Sequence, residues 1–245
     1  MSLENRARKI ANSLYDLGMI KTWYRDRSEG WILVSGLWSP FYIQLRALCS
    51  YPSVLREIGE AMSQLLSEEV PNVTRVLGIA MAGIPIAVAT SLMSSIPAAF
   101  TRKSNEGGPT GKETKYGEHY FIEGELVDND FLVLIDDVVT KFDTKMQAVS
   151  QVQQEINERR LTNVNCNDVA VVLDREQGAS QTAKSHKVSL HSLIRFRSQA
   201  LPWLAAKMSP LEWQVIDDYL EHPDKYQDPN LQQELKQEAS KRNAS

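Results

Sequence analysis

The chain has 245 residues, enough for one α/β domain with decorations and too few for two full enzymes. With 42% hydrophobic residues, 24% charged residues and a formal charge of −4, the composition is that of an ordinary globular protein and gives no electrostatic reason to expect a nucleic-acid partner. There is no signal-like start and no apolar run long enough to span a bilayer, which points to the cytoplasm. Cys49 and Cys166 lie in apolar-leaning contexts and read as buried thiols.

Residues 4–20, with Ile10, Leu14 and Leu17 before a Gly18 stop, predict an amphipathic helix. A strand over 31–34, a turn over Ser35-Gly36-Leu37-Trp38-Ser39-Pro40 and a second strand over 41–45 follow, leading to Arg46. The spacing of Val54, Ile58, Met62 and Leu65 predicts a helix over 52–67. A short strand over 75–80 then meets the small-residue turn Ala80-Met81-Ala82-Gly83-Ile84-Pro85 and an apolar helix over 86–93. Amides in such a turn can face an anion, although a tight strand-to-helix turn needs small residues in any case.

After a strand over 98–101 come Arg102, Lys103, four glycines and further cations, among them Lys112 and Lys115, up to His119. Charge and glycine suit either a mobile lid or a solvated loop. Residues 131–135 form an unbroken apolar run that stops at Asp136 and Asp137, the pattern of a central strand buried on both faces. Val138, Val139, Thr140 and a polar turn lead to a helix opening near Thr144 and running to about residue 160, with Asp143 as its expected N-cap. Strand, acidic pair, hydroxyl-bearing turn and helix start together suit a sugar phosphate: amides hold the phosphate and carboxylates accept from ribose hydroxyls. Acidic residues also end strands merely because the chain meets water there.

A further apolar strand over 169–173 ends in Asp174-Arg175-Glu176-Gln177-Gly178, and a last strand over 188–193 precedes a helical stretch over 196–208. From 209 the chain is polar, with Trp213, Ile216 and Tyr219 on a short amphipathic helix. His186 and His191 are isolated, and neither zinc-type spacing nor a Walker loop is present. Alternating strand and helix patterns over 75–193 predict an α/β fold with a doubly wound, mostly parallel sheet carrying ligands at its strand ends.

Five segments in order resemble the type I phosphoribosyltransferases, and specifically the orotate phosphoribosyltransferases: SGLWSPFYIQLR, the turn ending in Gly83-Ile84-Pro85, the KETKYG lid segment, the strand with DDVVT, and LDREQG. The resemblance implies a phosphoribosyltransferase domain over 1–207, with a small N-terminal hood over 1–50, a core from 51 and a helical C-terminal extension over 208–245. It implies transfer of the phosphoribosyl group of phosphoribosyl pyrophosphate (PRPP) to orotate, with Mg2+ carried on PRPP and a homodimer whose lid closes over the neighbouring subunit. Lys112, Lys115 and Asp137 would be catalytic. Arg102, Lys103, His119, Asp136, Thr140, Lys141, Thr144, Ala82 and Gly83 would bind PRPP. Tyr42, Ile43, Thr140 and Arg175 would bind orotate, Arg175 as a fork onto its carboxylate.

The sequence also departs from the family. Val34 stands where the family has lysine and Gln44 where it has aspartate. SNEGGPTG reads as an insertion, leaving Lys103 and Lys112 both candidates for the lid lysine. Phe142 replaces the glycine of the phosphate loop, where a β-carbon disfavours the expected dihedrals, and Asp143 adds negative charge beside it. Lys141 and Lys145 are possible compensating cations. Weak PRPP binding and low or absent turnover are therefore expected. A homologue acting on another base and a non-catalytic nucleotide-binding regulator are the alternatives, and length argues against a fused UMP synthase.

Overall fold

The computed structural model describes residues 1–33, 35–102, 113–114, 117–118 and 120–242. In chain order the elements are α1 (Leu3–Asp16), β1 (Ile20–Thr22), β2 (Trp31–Ile32), β3 (Trp38–Ser39), β4 (Phe41–Ile43), α2 (Pro52–Glu69), β5 (Arg75–Gly78), α3 (Gly83–Ser94), β6 (Ala98–Thr101), β7 (Glu113–Thr114), β8 (Gly117–Glu118), β9 (Ile122–Glu123), β10 (Phe131–Val139), α4 (Asp143–Glu158), β11 (Asn165–Asp174), α5 (Ala179–Ser185), β12 (Ser189–Arg195), α6 (Leu201–Leu204), α7 (Pro210–Glu221) and α8 (Pro229–Arg242). They fall into two compact units, residues 1–7 with 46–194 and residues 8–45 with 195 onward.

The first unit is an α/β fold around a six-stranded sheet in the order β12-β11-β10-β5-β6-β9. β10 pairs in parallel with β5 and β11, β5 in parallel with β6, and only the short β9 runs antiparallel to its neighbour β6. Strand order reverses between β5 and β10, the switch point at which doubly wound sheets open a crevice beyond their carboxyl ends. Leu132, Leu134, Val149, Val152, Val169 and Val171 are among the buried side chains of the core. Such apolar continuity is what a strand covered on both faces requires. At the amino ends of these strands, Arg75 Nε and Thr74 Oγ1 each donate to Asp130 at 2.8 Å, tying β5 to the turn before β10.

Three local expectations need correction. β10 does not stop at the acidic pair but runs on to Val139, so both carboxylates sit on strand backbone, with Asp136 and Val138 in register with Val171 and Leu173. Asp143 is not the N-cap of α4: Phe142 holds that place without a side-chain cap, and Asp143 is the first helical residue, where its charge complements the helix dipole. Cys49 is exposed, whereas Cys166 is buried and its thiol is pushed up to about 11 by that burial.

Phe142 itself takes φ +77°, the left-handed conformation expected of a glycine. Its ring is 1% exposed and packs into the core of the first unit with neighbours such as Val139 and Val149. The left-handed region costs a non-glycine residue about 1–2 kcal/mol, and full burial of a phenylalanine side chain returns about 1.5–3 kcal/mol. The aromatic ring thus offsets the backbone cost that made the sequence look incompatible with this turn.

The second unit joins the N-terminal hood to the C-terminal helices, a different division from the boundary at 207 drawn from sequence. β1 pairs with β4 and β2 with β3, both antiparallel, so residues 38–39 form a strand where a turn was expected. The hood's aromatics meet C-terminal ones: Phe41 stacks on Phe196 at 4.8 Å and meets Tyr219 edge-on at 5.8 Å, and Trp38 stacks on Tyr226 at 6.3 Å. Glu212 of the α7 capping box accepts from Tyr15 Oη at 3.3 Å and from Thr22 Oγ1, linking α7 to α1 and β1. The polar appearance of the C-terminal segment hides these few aromatic anchors.

Candidate active site at the sheet switch point

A cavity of about 410 Å3 lies within the first unit at the carboxyl ends of β5, β6 and β10. Its lining includes Arg46, the loop Ile79-Ala80-Met81-Ala82, Thr101 and Arg102, Phe121, the pair Asp136 and Asp137, and Thr144, Lys145, Gln147 and Gln151 of α4. Cations and carboxylates therefore line one space large enough for a small phosphorylated ligand.

Backbone contacts fix the loop after β5. Ile79 N–H donates to Ile135 O at 2.8 Å, Gly83 N–H to Ile79 O at 2.9 Å, and Ala80 N–H to Thr101 Oγ1 at 2.9 Å. Gly83 is required by close approach: a Cβ there would stand 2.1 Å from Ile135 O. The glycine therefore lets α3 start directly against the strand that carries the acidic pair.

The two aspartates are held differently. Asp136 is buried, accepts the Asp137 N–H at 2.8 Å through Oδ1 and forms an ion pair through Oδ2 with the buried ammonium of Lys145. Asp137 is partly buried and accepts the Val138 N–H at 2.7 Å. Its carboxyl is pushed up to about 6 by burial first and by the Asp136 charge second, against the pull of Lys145. The site thus contains one carboxylate committed to a lysine and one held above the usual carboxylate range.

No protein-family model matches the chain. The orotate phosphoribosyltransferase of Methanothermobacter thermautotrophicus is 30% identical over 165 residues, covering 66% of this chain and 80% of that protein. The chain belongs to the orotate phosphoribosyltransferase family. The uridine 5'-monophosphate synthase of Caenorhabditis elegans is 36% identical over 163 residues, 66% of this chain and 30% of that longer protein. Among solved structures, Leishmania donovani UMP synthase superposes with a TM-score of 0.68 at 23% identity, over 88% of this chain and 42% of that one, a likeness of fold.

Of the residues that the family motifs single out, Arg102, Asp136, Asp137, Thr144 and Ala82 line the cavity, and Gly83 opens α3 beside it. Thr140 and the exposed Lys141 lie in the turn after β10 and are not part of the lining. Arg175 is buried immediately after β11, its N–H donating to Val139 O at 3.0 Å; it too lies outside the lining. Tyr42 and Ile43 belong to β4 of the second unit, where Tyr42 stacks on Trp31 at 6.1 Å. Lys103, Lys112, Lys115 and His119 lie outside the described residues, as does Val34. Of the lid segment, the described backbone is the antiparallel pair β7 and β8.

Several lining residues were missed from sequence. Arg46 closes the SGLWSPFYIQLR segment, so the family motif itself carried the signal. Thr101 and Phe121 had none, because each is placed by sheet pairing: β6 pairs antiparallel with β9, and Arg102 N–H donates to Phe121 O at 2.8 Å. Lys145 was expected as a loose counter-ion for phosphate and is instead paired with Asp136.

Proposed function

We propose that this chain transfers the phosphoribosyl group of PRPP to orotate, giving orotidine 5'-phosphate and pyrophosphate in UMP biosynthesis. The observation that carries the reading is the cavity at the switch point, where the acidic pair, the loop after β5 and the cations Arg46 and Arg102 meet. In this reading the orotate nitrogen attacks the anomeric carbon as the bond to pyrophosphate breaks, through an oxocarbenium-like state. Negative charge grows on the leaving group, so fixed cations and amides aimed at it lower the barrier and no protein nucleophile is needed. Asp137 accepts from ribose hydroxyls and favours the cationic ribosyl centre. In this reading the loop around Ala82 holds the diphosphate, Thr140 and Thr144 the 5'-phosphate, and Arg175 the orotate carboxylate. Lys112 and Lys115, with Lys103 and His119, are the groups this reading assigns to the diphosphate.

Among the described residues no group of three or more histidine, cysteine or acidic side chains could hold a metal ion. In this reading Mg2+ enters with PRPP, whose diphosphate supplies the oxygen ligands this ion prefers. A homodimer is part of the reading, and Val88 and Leu92, one turn apart on α3, support it: they stay 45% and 72% exposed, apolar side chains suited to a second copy. No helix among the described residues is long and apolar enough to cross a membrane, and water-soluble anionic substrates suit a cytoplasmic enzyme.

The test is a spectrophotometric assay of orotate consumption with Mg2+ and PRPP, paired with calorimetric PRPP binding. Orotate loss that requires PRPP is expected. PRPP binding without orotate loss, or turnover of another base in its place, would overturn the assignment.

A further inference from the structure

Lys145 is the third residue of α4, close to the positive end of the helix, and its side chain is only 8% exposed. Both circumstances make a positive charge there costly unless it has a partner, one through the helix dipole and the other through lost hydration. Its partner is Asp136, itself 9% exposed at the side chain, whose second oxygen is already occupied by the Asp137 N–H. Each Asp136 oxygen thus already has a protein partner, although the same pair lines the cavity. Asp137 differs: its side chain also lines the cavity, with the Val138 N–H on one oxygen.

Resting on the function proposed above, we infer that Lys145 is a positioning residue of the acidic pair: it fixes Asp136 by an ion pair and keeps Asp137 as the carboxylate that accepts from the ribose hydroxyls. The charged groups that bear on Asp137 are Asp136 on its own strand and Lys145 on α4, with Arg46 and Arg102 elsewhere around the cavity. Burial and Asp136 raise its carboxyl, while Lys145 opposes them. Without the lysine, the Asp136 charge would act on Asp137 unopposed, and Asp137 would be protonated at the pH where it must accept hydrogen bonds.

The experiment follows the Asp137 carboxyl by 13C NMR in the ligand-free protein and the pH dependence of kcat/KM with PRPP. Lys145→Met should raise the Asp137 midpoint by at least about one pH unit, and the acid limb of kcat/KM should move with it. Removing one member of a buried pair can unfold a protein, whereas removing both leaves no unpaired charge. The double variant Asp136→Asn, Lys145→Met supplies that control: its Asp137 midpoint should fall below that of Lys145→Met. An unchanged midpoint in Lys145→Met, or an equal midpoint in the double variant, would reduce Lys145 to packing and overturn the inference. A shifted midpoint with an unmoved acid limb would overturn the role given to Asp137. The NMR titration needs no substrate, so absence of orotate turnover in the wild type would sink the proposed reaction while the ion-pair question is still decided.

Discussion

The Ala80 N–H donates to Thr101 Oγ1 at 2.9 Å, so the loop after β5 is tethered to the neighbouring strand β6 by a side chain that is 2% exposed. Thr101→Val keeps the shape and removes the acceptor. An amide left without its partner costs about 1–3 kcal/mol, less where water from the cavity replaces the hydroxyl. Calorimetry should show PRPP binding weakened roughly fivefold to tenfold, with Thr101→Ser restoring it. Wild-type affinity in Thr101→Val would mean that the loop's other backbone contacts suffice to hold it.

His191 on β12 is bound on both sides, through Nδ1 to Glu69 Oε2 at 2.7 Å and through Nε2 to Asp168 Oδ1 at 3.0 Å. Burial pulls its pKa down, but the two carboxylates outweigh it and the folded value lies above the ordinary 6.5. A raised folded value means that the contribution to stability is full below 6.5 and is lost as pH rises through the folded value. Urea midpoints of the wild type should therefore decline with rising pH more steeply than those of His191→Gln. The comparison with the variant matters because Asp137 also titrates in this range. Parallel pH profiles for the two proteins would rule the linkage out.

Much of the first unit was legible because its signals are local. The apolar run of β10, the small-residue turn before α3 and the order of strands and helices each follow from side-chain period and turn chemistry within a short window. What escaped depends on distance or on compensation. Two aspartates read as the end of a strand, yet β10 continues past them because β11 pairs with it up to Val139. The pairing of Lys145 with Asp136 depends on how α4 is set against β10, which no spacing rule encodes. Gln227 Oε1 accepts from Trp38 N–H at 2.8 Å across a sequence separation of 189 residues, and nothing near either residue announces the other.

Val88 and Leu92 stand one helical turn apart on α3, 45% and 72% exposed. If this stripe is where two copies meet, Leu92→Glu places a charge in an apolar contact while removing almost nothing from the fold. Sedimentation velocity should then show the wild type as a dimer and the variant largely as a monomer, with the variant's thermal midpoint lowered only by loss of the partner. A variant that sediments as the wild type does would exclude this face from the interface.

Phe142 makes the sharpest case, because backbone and side chain pull in opposite directions there. Its φ of +77° favours glycine, while its buried ring favours a large apolar side chain. Phe142→Ala discards the ring but keeps a β-carbon in the left-handed region, so it should lose about 3–5 kcal/mol, the usual range for a buried phenylalanine. Phe142→Gly also discards the ring but adopts this φ freely. Glycine ordinarily destabilises relative to alanine by roughly 0.5–1 kcal/mol in regular structure. Here the order should invert, with Phe142→Gly unfolding at higher urea than Phe142→Ala and with similar m-values. The same logic bears on ligand binding, where the loss of the loop glycine led to the expectation of weak PRPP binding. Because the backbone already has the glycine-like conformation, Phe142→Gly should leave PRPP affinity within about twofold of wild type at temperatures where the variant is folded. A clear tightening would show that the ring, and not the backbone, obstructs the phosphate; Phe142→Ala more stable than Phe142→Gly would show that the left-handed turn does not persist without the ring.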